Sequence, residues 1–584
     1  MKRVLLLVIV VSLSLFMLGC KGEGNAIKEG VKDIQESDKV SDVDTDADTE
    51  MNDDGDFVSN SGDEDNMIKQ IDYKYQQELN IIDDNYRNYY EIFLYSFYDS
   101  DGDGIGDIQG LISKLDYIND GDPTTDTDLG FNGIWLMPIM PSTTYHKYDV
   151  TDYYSIDPVY GTLDDFRELI EECDKRGIKL IIDLVFNHTS AKHPWFKEAV
   201  SYLEGLEEGQ EPDTKECQYV GYYNFYKDKK GTDGYHKAGS SDWYYECIFW
   251  DQMPDLALDN ESVRDEIERI TKYWLDMGVD GFRLDAVKEF FSGQKDKNAE
   301  VLEWFSDYVR SVKEDVYVVG EAWDSKDIIS AYYNSGTTSF FNFPLAMHNG
   351  EIVKAVRKLG TSTVSSLATN LIHIYDLYES SNPSYIDAPF ISNHDTTRVS
   401  AQCVNNEDQM KMVAGVLLTL DGSPFVYYGE EIGMNSYGDK DENKRLPMNW
   451  SNADTRGMTR KPSDADIVEQ KFPSVEEQLE DPLSILNYYK RAVRIRNENP
   501  EIARGETSLI EELIDSNILA LRKNYNGSEI IIIYNINTED AKVNLSNPGL
   551  TDINIRGYLS VDGREVTLED NELDMPKYSI VVLK

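Results

Sequence analysis

Eight short runs rich in Val, Ile, Leu and aromatic residues alternate with amphipathic segments over most of this 584-residue chain. The runs fall at 91–97, 133–137, 180–183, 281–285, 316–321, 339–342, 388–392 and 424–427. Between them, 163–176, 262–277, 299–313, 364–378 and 408–420 carry apolar residues at the spacing of a helix face. Such alternation calls for parallel strands joined by crossover helices, and eight strands can close on themselves. The expected fold class is therefore α/β, a (β/α)8 TIM barrel over 67–188 and 261–500. One interval breaks the rhythm. Residues 189–260 hold Gly, Tyr, Trp and Lys without sustained periodicity, too long a stretch for a plain loop, and are expected to form an inserted domain after the third strand. A last barrel helix is expected at 482–497. Beyond it, 517–523, 529–535, 541–545 and 578–583 are β-rich runs separated by turn residues, which predicts a C-terminal antiparallel β-sandwich over 501–584.

The N-terminus reads as a secretion signal over 1–19: Lys2 and Arg3 precede an apolar run at 4–18 that stops at Gly19 and Cys20. Gly19 before Cys20 resembles a bacterial lipobox, with Met17 in place of the usual leucine. That resemblance implies lipidation at Cys20 and a protein outside the cytoplasm, anchored to the cell membrane. Residues 20–66 are acidic, polar and poor in large apolar side chains, so they are expected to be a disordered tether.

A formal net charge of -52 argues against a nucleic-acid partner, because a phosphate backbone would be repelled. A neutral or cationic substrate suits it better. With Cys20 assigned to lipid, Cys173, Cys217, Cys247 and Cys403 remain, and spacing alone leaves their pairing open, with Cys217–Cys247 one possibility inside the insertion.

Four stretches place charged or polar side chains at or just beyond strand ends: DLVFNH at 183–188, GFRLDAVKE at 281–289, GEAW at 320–323 and FISNHD at 390–395. A parallel barrel brings Asp285, Glu321 and Asp395 together at one end. Like charges held close cannot all ionise near neutrality, so one acid should keep its proton. Two carboxyl groups about 5–5.5 Å apart suit glycoside hydrolysis with retention. Arg283, two residues before Asp285, shares its strand face, and His188 and His394 can donate hydrogen bonds to sugar hydroxyls. A buried structural ion-pair network is the alternative reading of the three acids.

The four stretches, in this order, resemble the signature regions of the α-amylase family of glycoside hydrolases; MPDL at 253–256 resembles its fifth, and YYGEEIGM at 427–434 and RLPMNW at 445–450 extend the match. The resemblance implies Asp285 as nucleophile, Glu321 as general acid/base and Asp395 as transition-state stabiliser. It places Arg283, His188 and His394 on glucose-binding positions, and Tyr148, within YHKYD at 145–149, where the family stacks an aromatic ring on that glucose. His146 and Lys288 complete the expected substrate contacts.

Calcium is the expected cofactor. Asp99, Asp101, Asp103 and Asp107, with the Ile105 carbonyl, offer alternating oxygens in the loop DSDGDGIGD, whose glycines allow tight curvature. The family's oligo-1,6-glucosidase branch carries a similar loop. Asn187 and Asp255 match ligands of a second calcium site in many α-amylases, although Glu289 stands where those have histidine. Exo-acting relatives place a clamping Asp where this chain has Tyr145. The expected activity is thus internal α-1,4 cleavage of an α-glucan by a monomer. The alternatives are a neopullulanase, cyclomaltodextrinase or α-glucosidase, or a catalytically dead glucan-binding lipoprotein.

Overall fold

A Cβ at Gly281 would lie 2.0 Å from the carbonyl oxygen of Tyr317 on the neighbouring strand. Only glycine lets Gly281–Leu284 pair in parallel with Tyr317–Gly320 on one side while Lys179–Leu184 pairs on the other. In the computed structural model, which describes residues 78–79, 82–230, 234–360, 363–546, 550 and 552–584, these strands are the middle of a seven-stranded parallel sheet. Its order is Phe425–Tyr427, Tyr89–Ile92, Gly133–Leu136, Lys179–Leu184, Gly281–Leu284, Tyr317–Gly320 and Ser339–Phe340. The eighth position is held by two single parallel bridges, Phe341 to Ala388 and Phe390 to Phe425, which close the wall into a (β/α)8 barrel.

The strands are buried on both faces, which is why they read as unbroken apolar runs rather than alternating ones. Around them pack the helices Leu163–Lys175, Glu261–Met277, Lys295–Val312, Val364–Ser381, Glu407–Leu418 and Ile485–Glu498. Local chemistry sets their ends. Thr162 and Asp165 form a reciprocal capping box at the start of Leu163–Lys175. Asn260 caps Glu261–Met277, and Gly278 ends it at φ 118, a conformation open to glycine.

The structure differs from the expected elements in detail. The first strand is Tyr89–Ile92 rather than 91–97, because the chain turns into a 3-10 turn at Leu94–Ser96, closed by Ser96 N–H to Phe93 and Phe97 N–H to Leu94. Within 189–260, where an inserted domain was expected, lie the helix Pro194–Glu204, with Pro at its first turn, and a three-stranded sheet of Phe225–Tyr226, Tyr244–Glu246 and Tyr235–Lys237. Helices Lys326–Tyr333 and Glu351–Arg357 were short enough to escape a periodicity reading. The four described cysteines are buried and free, Cys217 and Cys247 included. The lipobox cysteine and the tether lie outside the described residues.

The C-terminal part is a β-sandwich. A five-stranded antiparallel sheet, ordered Glu506–Leu509, Ile518–Tyr525, Ser528–Asn535, Ser579–Leu583, Ile555–Ser560, faces a three-stranded one. Its own small core, including Ile531, Ile533, Val543, Leu573 and Val581, lies apart from the large core that the barrel shares with its helices. Lys523 ties the two parts together: fully buried, its ammonium meets the Asp421 carboxylate, the Ile502 carbonyl at 3.0 Å and Thr507 Oγ1 at 3.1 Å.

Candidate active site

Arg283, wholly buried, leaves the barrel strand pointing along the wall toward its carboxyl end. One nitrogen, Nη1, donates to Asp183 at 2.8 and 3.1 Å and to Asp285 Oδ1 at 2.7 Å, and Nη2 meets Glu321 Oε2 at 2.9 Å. A single planar guanidinium therefore gathers carboxylates from three adjacent strands. That is the structural reason the sequence separation of these acids does not matter. Removing a cation from water costs several kcal/mol, and only close, well-directed partners offset it. Here the partners are present on both forks.

The same crowding sets the protonation of the acids. Burial, with Asp285 and Asp395 close by, outweighs the pull of Arg283 and the Ala286 N–H and pushes Glu321 up to about 7. Burial also raises Asp183, to about 6, although Arg283 opposes it. Asp395 goes the other way. Burial works against its charge, but His394 at 3.0 Å and Arg445 Nη2 at 2.7 Å hold its carboxyl well below the usual range.

After Asp285 the chain turns sharply, with Ala286 in the left-handed region at φ 47 and ψ 45. A residue with a Cβ is strained there by about 1–3 kcal/mol. In return the Ala286 N–H points at Glu321 Oε2, 3.0 Å away, and the Val287 N–H meets the Glu321 carbonyl at 3.1 Å. The turn thus ties the ends of two neighbouring strands together. Lys288, in the following 3-10 turn Val287–Glu289, reaches the Trp323 carbonyl at 3.0 Å and Asp324 at 3.2 Å, so it lines the rim rather than the carboxylate cluster.

Tyr148 roofs the cluster. Its hydroxyl donates to Asp183 Oδ2 at 3.0 Å and lies 2.7 Å from His394 Nε2, while the two rings stack at 5.5 Å. The loop carrying it is held at both ends. Asp149 accepts from the hydroxyls of Ser142, Thr143, Thr144 and Ser190. Lys147, at φ 67, pairs with Asp157 at 2.7 Å out of solvent. His146 Nδ1 accepts the Tyr148 N–H at 3.1 Å; burial, helped by Arg445, pushes it down to about 4 and keeps it neutral. His188 is neutral too, lowered by burial, with Nε2 donating to the Tyr148 carbonyl at 3.2 Å.

That tautomer leaves Nδ1 of His188 to accept from Asn187 Nδ2 at 3.2 Å, which turns the Asn187 oxygen away. Asn187 Oδ1 is buried without a partner, and so is Asp255 Oδ1, on the segment bridged to His188. Burial, with Glu246 and Glu289 nearby, raises Asp255 well above the ordinary range. Two orphaned buried oxygens beside further acids fit a hard cation such as calcium. The acidic loop gathers less than expected: oxygens of Asp99, Asp101 and Asp107 lie within 4.8 Å of one another, and Asp103 does not join them. Its carboxylate caps the Ile105 N–H at 2.7 Å instead. Gly102 and Gly104, at φ 87 and 91, supply the left-handed turns that let Asp99 accept both their N–H groups.

Three residues escaped the sequence reading: Glu91, Asp183 and Arg445. Asp183 and Arg445 lie inside stretches that carried the resemblance, and Glu91 starts a strand candidate. None stood out, since a buried partner is recognised only by what it touches.

Paired acids at the carboxyl ends of barrel strands, one of them keeping its proton up to about 7, are what glycoside hydrolysis requires. Comparison with known proteins agrees. A family model described as "Alpha amylase, catalytic domain" matches residues 91–505. Alpha-amylase 3 of Dictyoglomus thermophilum is 37% identical over 509 residues, spanning 85% of this chain and 93% of that protein. Among solved structures, Eubacterium rectale Amy13B aligns with a TM-score of 0.83 at 44% identity, covering 87% of this chain and 97% of its own. The α-amylase of H. orenii does so at 0.74 and 38%, covering 86% and 99%. The chain belongs to the α-amylase family.

If Arg283 is what gathers the acids, Arg283→Lys keeps the charge but loses the fork. Its kcat/KM should fall on the order of 100-fold or more, and its thermal midpoint should drop by several degrees. Near-native values of both would show that the cluster holds itself.

Proposed function

We propose that this protein is a retaining, endo-acting α-amylase that cleaves internal α-1,4 bonds of starch and maltooligosaccharides. The observation that carries the reading is the contrast between neighbours: Glu321, pushed up to about 7, is a proton donor, while Arg283 offers Asp285 a hydrogen bond beside it. In this mechanism an Asp285 oxygen attacks the anomeric carbon while Glu321 protonates the glycosidic oxygen, releasing the reducing-end fragment. Glu321, now a carboxylate, takes a proton from water as that water cleaves the glycosyl ester. Asp395 accepts hydrogen bonds from hydroxyls of the same ring, and Tyr148 packs on its apolar face.

A long substrate is supported at the rim. Tyr145 stands where exo-acting relatives carry a clamping acid; its ring packs edge-on against Phe93 and Tyr95, and its hydroxyl accepts from Arg445 at 3.2 Å. Half-exposed aromatic rings extend outward on other sides: Phe249, 5.5 Å from His188, then Trp250, and Trp323 stacked on Phe343. Calcium in this reading is held by Asp99, Asp101 and Asp107, and at a second place by Asn187 and Asp255. Bound there it supplies charge compensation that stiffens loops and the base of the insertion; it takes no part in the chemistry. Cys20 carries lipid that tethers the mature enzyme to the outer face of the cell membrane.

Soluble starch should give maltooligosaccharides of mixed length in the first minutes; glucose as the sole early product would reassign the enzyme as an α-glucosidase. Above about pH 7, kcat/KM should fall about tenfold per unit as Glu321 loses its proton. Asp285→Asn should abolish turnover of every substrate, whereas Glu321→Gln should retain activity on aryl maltosides whose leaving group needs no proton. Equal loss on both substrates would remove Glu321 from the acid role. Exhaustive chelation should lower the melting temperature in proportion to the metal removed, by about 2.7 kcal/mol of stability if calcium had been present at a hundred times its Kd; an unchanged melt with metal loss confirmed excludes a stabilising role for calcium, and a chain that carries no metal to lose excludes the sites. Cys20→Ser should move activity from the membrane fraction to the medium, and retention in the membrane would place the anchor elsewhere.

A further inference from the structure

His394 has both ring nitrogens committed. Nδ1 lies 2.6 Å from Glu91 Oε1, a carboxylate at the end of the first barrel strand that is 1% exposed and can only accept while ionised. Nε2 lies 2.7 Å from the Tyr148 hydroxyl and 3.0 Å from Asp395 Oδ2. With the Tyr148 proton on its bond to Asp183 Oδ2 at 3.0 Å, the phenol oxygen is left to accept, from His394 Nε2 at 2.7 Å and from Arg283 Nη1 at 3.5 Å. Asp395, bonded to Arg445, is an acceptor as well. Burial raises the Glu91 carboxyl while His394 and Arg283 pull it back; with Glu91 ionised, the partners of both ring nitrogens are acceptors, and a neutral imidazole can donate only once.

We propose that Glu91 is a positioning residue whose buried carboxylate keeps His394 a doubly protonated imidazolium, fixing a positive charge and an Nε2–H donor against Asp395. The kinetic consequence rests on the reading of Asp395 as a catalytic acid; the charge state does not. The titratable and charged groups facing His394 are Glu91 from the first strand, Tyr148 from the loop after the second, Asp183 and Arg283 behind that phenol, Asp395 beside it, and Arg445, whose Nε donates to the His394 carbonyl at 3.1 Å. Acidic partners prevail over burial and carry the imidazole up to about 9, in keeping with this geometry. Glu91 has little room to do otherwise. Its strand neighbours are Trp135 and Tyr427, and Trp135 also meets the His394 ring edge-on at 5.6 Å.

Glu91→Gln separates charge from shape, because the amide oxygen can still accept from Nδ1–H. The full-length chain, labelled with 15N-histidine and with His394 assigned by its loss in His394→Asn, should show both ring nitrogens of His394 protonated beyond pH 8. In Glu91→Gln the ring should titrate near or below the ordinary value of about 6.5. Neutral His394 would then keep its proton on Nδ1 and offer Asp395 none. The kcat/KM of the variant should be close to the parent at pH 5 and fall on the order of 10- to 100-fold below it by pH 7, mostly in kcat. A purely structural role would give a loss independent of pH. A neutral His394 at pH 7 in the parent, an unshifted titration in Glu91→Gln, or parallel pH profiles would each overturn the proposal. A parent chain without activity on glucans would count against the amylase reading alone, since the NMR titration decides the charge state by itself, and the parent's titration does so even if Glu91→Gln fails to fold.

Discussion

One guanidinium organises the upper end of this barrel. Arg283 is wholly buried and donates to Asp183, Asp285 and Glu321, each at the end of a different strand or just beyond it. Without a cation there, three carboxyl groups within reach of one another would repel, and burial would drive each to take a proton. Without the acids, the buried guanidinium would be the larger penalty, since leaving one member of such a pair uncompensated costs about 3–5 kcal/mol. Mutual dependence makes the geometry stiff. The same stiffness is what a reaction centre needs, because groups already in place require no reorganisation when charge develops.

The network also sorts its acids into different states. Asp395 is flanked by His394 and Arg445 and stays ionised, whereas Glu321 shares Arg283 with two competitors and keeps its proton up to about 7. Similar carboxyl groups, placed a few residues' width apart, therefore do opposite jobs. Outside the cluster the strain is local and compensated. Ala286 and Lys147 adopt left-handed backbone, the first answered by the bond from its N–H to Glu321 and the second by the buried pair with Asp157.

How much could be read beforehand depended on the kind of signal. Strands buried on both faces announce themselves as apolar runs, so 133–137 and 281–285 were legible to within a residue. The turn at Leu94–Ser96 was not, because FLYSF is as apolar as a strand and only the backbone bonds back to Phe93 and Leu94 end the extension. The helix Pro194–Glu204 hid in a stretch crowded with aromatic residues. Asp285, Glu321, Asp395 and Arg283 were legible because each stands at or near the carboxyl end of an expected strand; Arg445 had no such mark, and Glu91 fell at the start of the expected first strand because that strand was set too late in the chain.

Sequence alone determined the alternation that builds the barrel and which acids stand at its strand ends, since burial on both faces and strand termini are properties of neighbouring residues along the chain. Which carboxyl keeps its proton, which nitrogen of a histidine carries one, and which aspartates of DSDGDGIGD meet were decided only by tertiary structure. Those properties depend on desolvation and on charges a few ångströms away in space. Glu91 and His394 are 303 positions apart along the chain and 2.6 Å apart in the fold.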